Sequence, residues 1–114
     1  MTEIQGIGRF NFREGKLEDF KRLSAQCIEI VRAKDTGTLQ YDIYLNADQS
    51  EGIVIERYRD SEALIEHAQN LGDLSGAVLT TGWVSGELLG EPSDELGAIV
   101  ADSPISLFRP FLWM

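Results

Sequence analysis

The stretch from Gly52 to Leu71, GIVIERYRDSEALIEHAQNL, constrains the fold of this chain more than any other. Ile53 to Tyr58 is β-branched and aromatic, as a strand requires, with Glu56 embedded in it. Asp60 and Ser61 are helix-capping types, and Glu62 suits a first helical turn. Ala63, Leu64, His67, Ala68 and Leu71 then recur at spacings of three and four, which predicts a helix with one apolar face. A strand that feeds a helix across so short a junction packs helix against sheet. It also sets one acid in the strand and the only histidine, His67, on the apolar face of the helix behind it.

The remaining elements follow from the same periodicities. Ile4 to Arg13 alternates as a strand, with Gly6, Gly8, Phe10 and Phe12 on one face and Ile7, Arg9, Asn11 and Arg13 on the other. Two glycines in a strand mark a bulge or a close approach by another group. Leu17, Phe20, Leu23, Cys27, Ile30 and Val31 trace the stripe of a first helix, and Gly37 is expected to stop it. Leu39 to Ala47 and Ile53 to Arg59 form a hairpin across Asp48-Gln49-Ser50. A short helical piece from Asp73 to Thr81 follows the His67 helix, then a strand from Trp83 to Leu89. Ser93 caps a helix to Ala101, and Ile105 to Leu112 is a last strand, placed at an edge by Arg109 and Pro110.

The order β-α-β-β-α-β with an added helix and strand predicts an α+β fold, the ferredoxin-like split βαβ. Its antiparallel sheet would carry helices on one face, and residues 1–114 would form one domain. The second and third strands are apolar or aromatic on both faces, so the open side of the sheet needs a cover. A second copy of the chain is the simplest one, and the last strand is placed to reach across and pair with it.

Charge narrows the partners. Ten basic residues against nineteen acidic give a net charge of −9, and only Arg109 among the basic residues lies after Arg59. Nucleic acid and anionic membrane surfaces are therefore not expected to bind. No run of about 18 apolar residues exists to span a membrane. The start, MTEIQGIGRF, lacks the basic flank and apolar block of a secretory signal, and the lone Cys27 allows no internal disulfide, so a cytoplasmic setting is expected. One histidine with scattered carboxylates makes no convincing metal site. The GxGxxG, GxxxxGK[ST] and GxSxG signatures are missing.

Several pieces together resemble the antibiotic biosynthesis monooxygenase family, dimeric α+β-barrel proteins that include quinol monooxygenases. They are Glu14-Gly15-Lys16, Val31-Arg32, the GTLQY of Gly37 to Tyr41, Glu56-Arg57-Tyr58, the DSEA of Asp60 to Ala63, and His67. The resemblance implies a homodimer and a cavity between sheet and helices for a small aromatic or quinone-like ligand. It also implies oxygenation without metal, haem or flavin, in which the substrate carbanion itself reduces dioxygen. The position one turn after His67, where the family often has a second histidine, is Leu71. Haem-degrading members use an Asn, Trp, His set; Asn11 matches in part, but the His67 helix has no tryptophan, so haem cleavage is not expected.

Two functions fit these residues. In the first, a cofactor-independent monooxygenase, His67 is the general base, since an unperturbed imidazole titrates near neutrality. Glu56 orients that ring or forms an ion pair with Arg9, Arg57 or Arg109. Tyr41, Tyr58 and Trp83 wall the cavity, with Asn11 and Arg9 as further substrate contacts. A related enzyme, an isomerase, would use the proton transfer alone. In the second, the same cavity belongs to a non-catalytic dimeric module that binds a small ligand or another protein.

Overall fold

Period-two and period-3.6 segments alternate along the chain, and each becomes the element its period requires. The computed structural model describes residues 2–114. In chain order the elements are β1 (Ile4–Phe12), α1 (Leu17–Lys34), β2 (Thr38–Leu45), β3 (Glu51–Tyr58), α2 (Ser61–Leu71), α3 (Asp73–Leu79), β4 (Gly82–Leu89), α4 (Asp94–Ala101) and β5 (Ile105–Phe108). Local chemistry sets the boundaries. The Asp60 carboxylate accepts from the Ala63 amide at 2.8 Å, and the Ser93 hydroxyl from the Leu96 amide at 3.2 Å, so both helices start on side-chain caps. Gly72 takes φ 53° between α2 and α3, a turn that favours glycine.

The strands form a five-stranded sheet in the order β2-β3-β1-β4-β5. The first four are antiparallel, as the split βαβ arrangement requires. β5 departs from the expected antiparallel sheet: it lies parallel to β4 of its own chain, reached through α4. It is also shorter than expected, because Arg109 and Pro110 fall beyond its end rather than within it. α4 spans the crossover that a parallel pair needs.

Strand register decides which side chains meet. On the helix side, one row across the sheet is Tyr41, Glu56, Gly6, Leu88 and Leu107. The next is Ile43, Val54, Gly8, Gly86 and Ile105. Two apolar cores flank these rows. One gathers Ile4, Tyr58, Ala63, Leu88, Leu96 and Val100; the other gathers Phe10, Phe20 and Val54. On the opposite face, Tyr44 and Trp83 stand exposed beside half-buried Ile7, Ile53 and Ile55.

The glycines do unlike work. Gly37 does not end α1 in a left-handed turn; the cap is Asp35, whose amide bonds to the Val31 carbonyl. Gly37 is instead a point of contact, since a Cβ there would lie 2.5 Å from Ala63 Cβ on α2. At Gly86 a Cβ would lie 2.1 Å from the Ile7 carbonyl oxygen, backbone that cannot yield. At Gly8 the same atom would make only ordinary contacts, at 3.8 Å. Gly86→Ala is therefore expected to cost about 2–3 kcal/mol, and to lower Tm by about 10 °C or more. Gly8→Ala should leave Tm nearly unchanged or raise it slightly, and thermal melts of the pair check this.

Candidate active site

His67 sits on the inward face of α2, three residues after Leu64 and four before Leu71, as helical spacing demands. Its ring is buried and lies between two tyrosines, with centroid distances of 5.2 Å to both Tyr41 and Tyr58. Nδ1 is 2.8 Å from Oδ2 of Asp35. A carboxylate only accepts, so Nδ1 carries a proton, and in the neutral ring Nε2 holds the lone pair. Nε2 lies 3.8 Å from Oε1 of Glu56, too far for a direct hydrogen bond and close enough for charge to be felt.

Asp35 is the residue that sequence reasoning missed. It lies 32 positions from the ring it holds. Its side chain is 1% exposed. Thr38 Oγ1 donates to its Oδ2 at 2.6 Å and Asn70 Nδ2 to its Oδ1 at 2.8 Å. Burial pushes the Asp35 carboxyl up, but the hydrogen bonds from Asn70, Thr38 and His67 outweigh it and hold the group below its ordinary value. The loop that carries Asp35 is clamped onto α2. The Thr36 amide donates to Glu66 at 2.7 Å, and the Gly37 carbonyl accepts from the Arg59 amide at 2.9 Å. Asn70 at three positions after His67 was the one available sequence signal, because it shares the histidine's face.

Glu56 corrects two expectations. The carboxylate that orients His67 is Asp35, and Glu56 pairs with none of the three arginines considered for it. Arg9 bonds Glu87 at 3.0 Å, Arg57 bonds Glu3 at 2.6 Å, and Arg109 bonds Glu91 at 3.1 Å. Glu56 instead accepts a hydrogen bond from the Tyr58 hydroxyl. Burial drives its carboxyl up from the ordinary value, against the Tyr58 hydrogen bond and His67, which pull it down. Burial also pushes both tyrosine hydroxyls and the Cys27 thiol up, so all three remain protonated at neutral pH.

These groups line one end of a cavity of about 590 Å³ between sheet and helices. Gly6 and Gly8 line its sheet side at β1, between the side chains of Val54 and Glu56 on β3 and Val84 and Leu88 on β4. Tyr41, Tyr58, Glu56 and His67 are thus brought together. Arg9, Asn11 and Trp83 are not: strand alternation turns them to the opposite face, where they line a separate depression of about 370 Å³. Arg13 stacks over the Trp83 ring there, its guanidinium carbon 4.4 Å from the centroid. Among the described residues, no three His, Cys, Asp or Glu side chains are disposed to hold a metal ion. No helix among them is long and apolar enough to cross a membrane.

An α+β sheet with a cavity beneath its helices is what the family resemblance implied. Residues 6–72, more than half of the chain, match the antibiotic biosynthesis monooxygenase family, and the chain belongs to that family. Among solved structures it is similar to MupZ from Pseudomonas fluorescens, with a TM-score of 0.84 and 23% identity over 100% of this chain and 94% of that one. Rv0793 from Mycobacterium tuberculosis is 30% identical over 82% of this chain and 97% of its own, with a TM-score of 0.68. SnoaB, a cofactor-independent oxygenase from Streptomyces nogalater, superposes with a TM-score of 0.66 at 15% identity, over 77% of this chain and 91% of its own. No curated protein matches the chain in sequence.

The two acids of the site titrate in opposite senses, and this is measurable. Asp35, with a lowered folded pKa, contributes stability above its unfolded pKa that is lost as pH falls through the folded value. Glu56, with a raised one, favours the fold at low pH and loses that contribution as pH rises through the folded value. Asp35→Asn is expected to cost about 1–3 kcal/mol at pH 7, where hydrogen bonds to the carboxylate are lost, with the deficit shrinking below about pH 4. Glu56→Gln should raise Tm at pH 7 relative to its effect at acid pH. Melts across that range, with both variants, read the two signs.

Proposed function

We propose that this cavity is an acid–base active site and that the protein is a cofactor-independent monooxygenase of a small aromatic or quinol substrate. The observation that carries the reading is the His67 ring, held by Asp35 through Nδ1 so that the basic Nε2 is left for the cavity. A ring fixed in one tautomer needs no reorganisation before it takes a proton. Nε2 removes a phenolic proton from the bound quinol. The tyrosine rings hold the substrate plane, and enclosure limits water around the anion. Dioxygen is the oxidant. One of its atoms joins a ring carbon and the other leaves as water, while the quinol becomes a hydroxyquinone and supplies all four electrons. Membership of the family and the likeness to SnoaB support this reading.

A second reading is favoured by Glu56. Burial holds its carboxyl toward the protonated form beside Nε2, so the site carries a second proton carrier. A base and an acid on one substrate suit an isomerase that moves a proton and uses no oxygen. Oxygen uptake separates the two, because the isomerase would turn over under nitrogen. A binding module would do neither, while still taking up ligand.

His67→Ala is expected to lower turnover by about 100- to 10,000-fold. The helix keeps its apolar stripe and gains a strong helix former, so the fold should persist, with Tm lowered by loss of the ring's bond to buried Asp35. Melting temperature and oxygen uptake on the same variant check this. Unchanged turnover with a lowered Tm would make His67 a packing residue and move the assignment to a binding module.

The same reading makes the protein a cytoplasmic homodimer, with the sheets packed open face to open face. Exposed Trp83 and Tyr44 beside Ile53 and Ile55 support it, as an uncovered apolar sheet face is unfavourable in water. Ile53→Asp should convert the dimer to monomer and lower stability together, since assembly then no longer contributes to the fold. Light scattering at micromolar concentration measures the first effect; a wild-type monomer there would end the proposal.

A further inference from the structure

Cross-strand register turns the cavity into a track with two unlike ends. At the β2–β3 end stand Tyr41, Glu56, Tyr58 and His67. In the middle, Gly6 and Gly8 of β1 offer bare backbone. At the β4–β5 end the lining is Leu88 and Ile105 on the sheet, under Leu96, Ile99 and Val100 of α4. Of the polar residues at that end, Glu95 and Ser103 are exposed and half-buried Glu87 is paired with Arg9, while Leu96 and Val100 are buried. Adjacent strands lie about 4.8 Å apart, so the track from β3 to β5 runs about 14 Å. A small quinol beside His67 occupies only its first part.

The apolar end lies outside the part of the chain that the family match covers. The family match ends at residue 72, before β4 begins. MupZ covers the whole of this chain, α4 and β5 included.

We infer that the cavity takes an elongated amphipathic substrate, with its reacting polar end at His67 and Glu56. An aliphatic chain crosses Gly6 and Gly8 and ends under Leu96 and Val100. Which end reacts rests on the acid–base reading of His67; the path of the chain rests on shape and polarity alone. Leu96, Ile99 and Val100 are then the residues that set substrate length. Gly6 and Gly8 keep the path open, since any larger side chain there would fill it.

The test is binding, read separately from turnover. Titration calorimetry with 1-alkanols from butanol to nonanol, and with 4-alkylphenols of matching chain length, measures affinity against chain length. Each added methylene buried on the track is expected to tighten Kd by about fourfold. Val100→Phe fills the far end, so the gain should stop at a shorter chain while the shortest members bind as before. Ile99→Gln, at a half-exposed site where the fold tolerates it, should weaken the longest members only. His67→Gln should keep the slope whatever becomes of turnover. Affinity that does not rise with chain length in the wild type overturns the inference, as does a slope unchanged in both roof variants. An intact slope with no His67-dependent turnover removes the catalytic reading and leaves the track in place.

Discussion

The carboxylate of Asp35 is the contact on which the site depends. It sits where α1 ends and β2 has not begun, and it gathers Thr38 from the next strand with His67 and Asn70 from α2. A buried charge is unfavourable unless its lone pairs are bonded. Here three donors meet that demand, so the loop, the strand and the helix are drawn to one point. The imidazole is oriented as a by-product of solving that electrostatic problem. Gly37 allows the approach, because a side chain in its place would push the loop off Ala63.

The second acid is handled in the opposite way. Glu56 receives one tyrosine hydroxyl, and no arginine reaches it. It therefore resists ionisation while Asp35 accepts it. Two carboxyls flanking one imidazole, one held as an anion and one pressed toward the acid, give the ring an asymmetric surrounding. That asymmetry makes proton movement at Nε2 chemically useful. It arises from the balance of burial against hydrogen bonds: three donors outweigh burial at Asp35, and one tyrosine hydroxyl does not at Glu56.

Much of this was legible in the sequence, and the rest was hidden for identifiable reasons. Asp60 and Ser93 are capping residues whose meaning is local, and both helices begin on them. His67 and Glu56 were readable because a helical period and an acid in an apolar strand are local signals too. Asp35 was not, because nothing near it in sequence says that its partner lies on another helix. Arg9, Asn11 and Trp83 show the converse failure. Alternation along β1 already set Arg9 and Asn11 opposite Gly6 and Gly8, but only the pairing of Gly6 with Glu56 says which of those faces the cavity uses. The parallel pairing of β5 had a signal that the antiparallel expectation passed over: a helix between two strands is the connection that parallel neighbours need.

The stretch of β1 at Gly6 and Gly8 presents peptide backbone, which has no rotamers. Its amides and carbonyls already serve the ladder between β1 and its neighbours. Such a surface neither adjusts to a guest nor offers it a directional bond. Accommodation therefore falls to the roof, above all to α4, a helix of 8 residues fixed to the body through the Ser93 amide and the Ser61 hydroxyl at its start. New specificities in chains of this architecture can then arise by changing the roof while the proton-handling residues stay fixed, so that recognition and chemistry vary as separate traits.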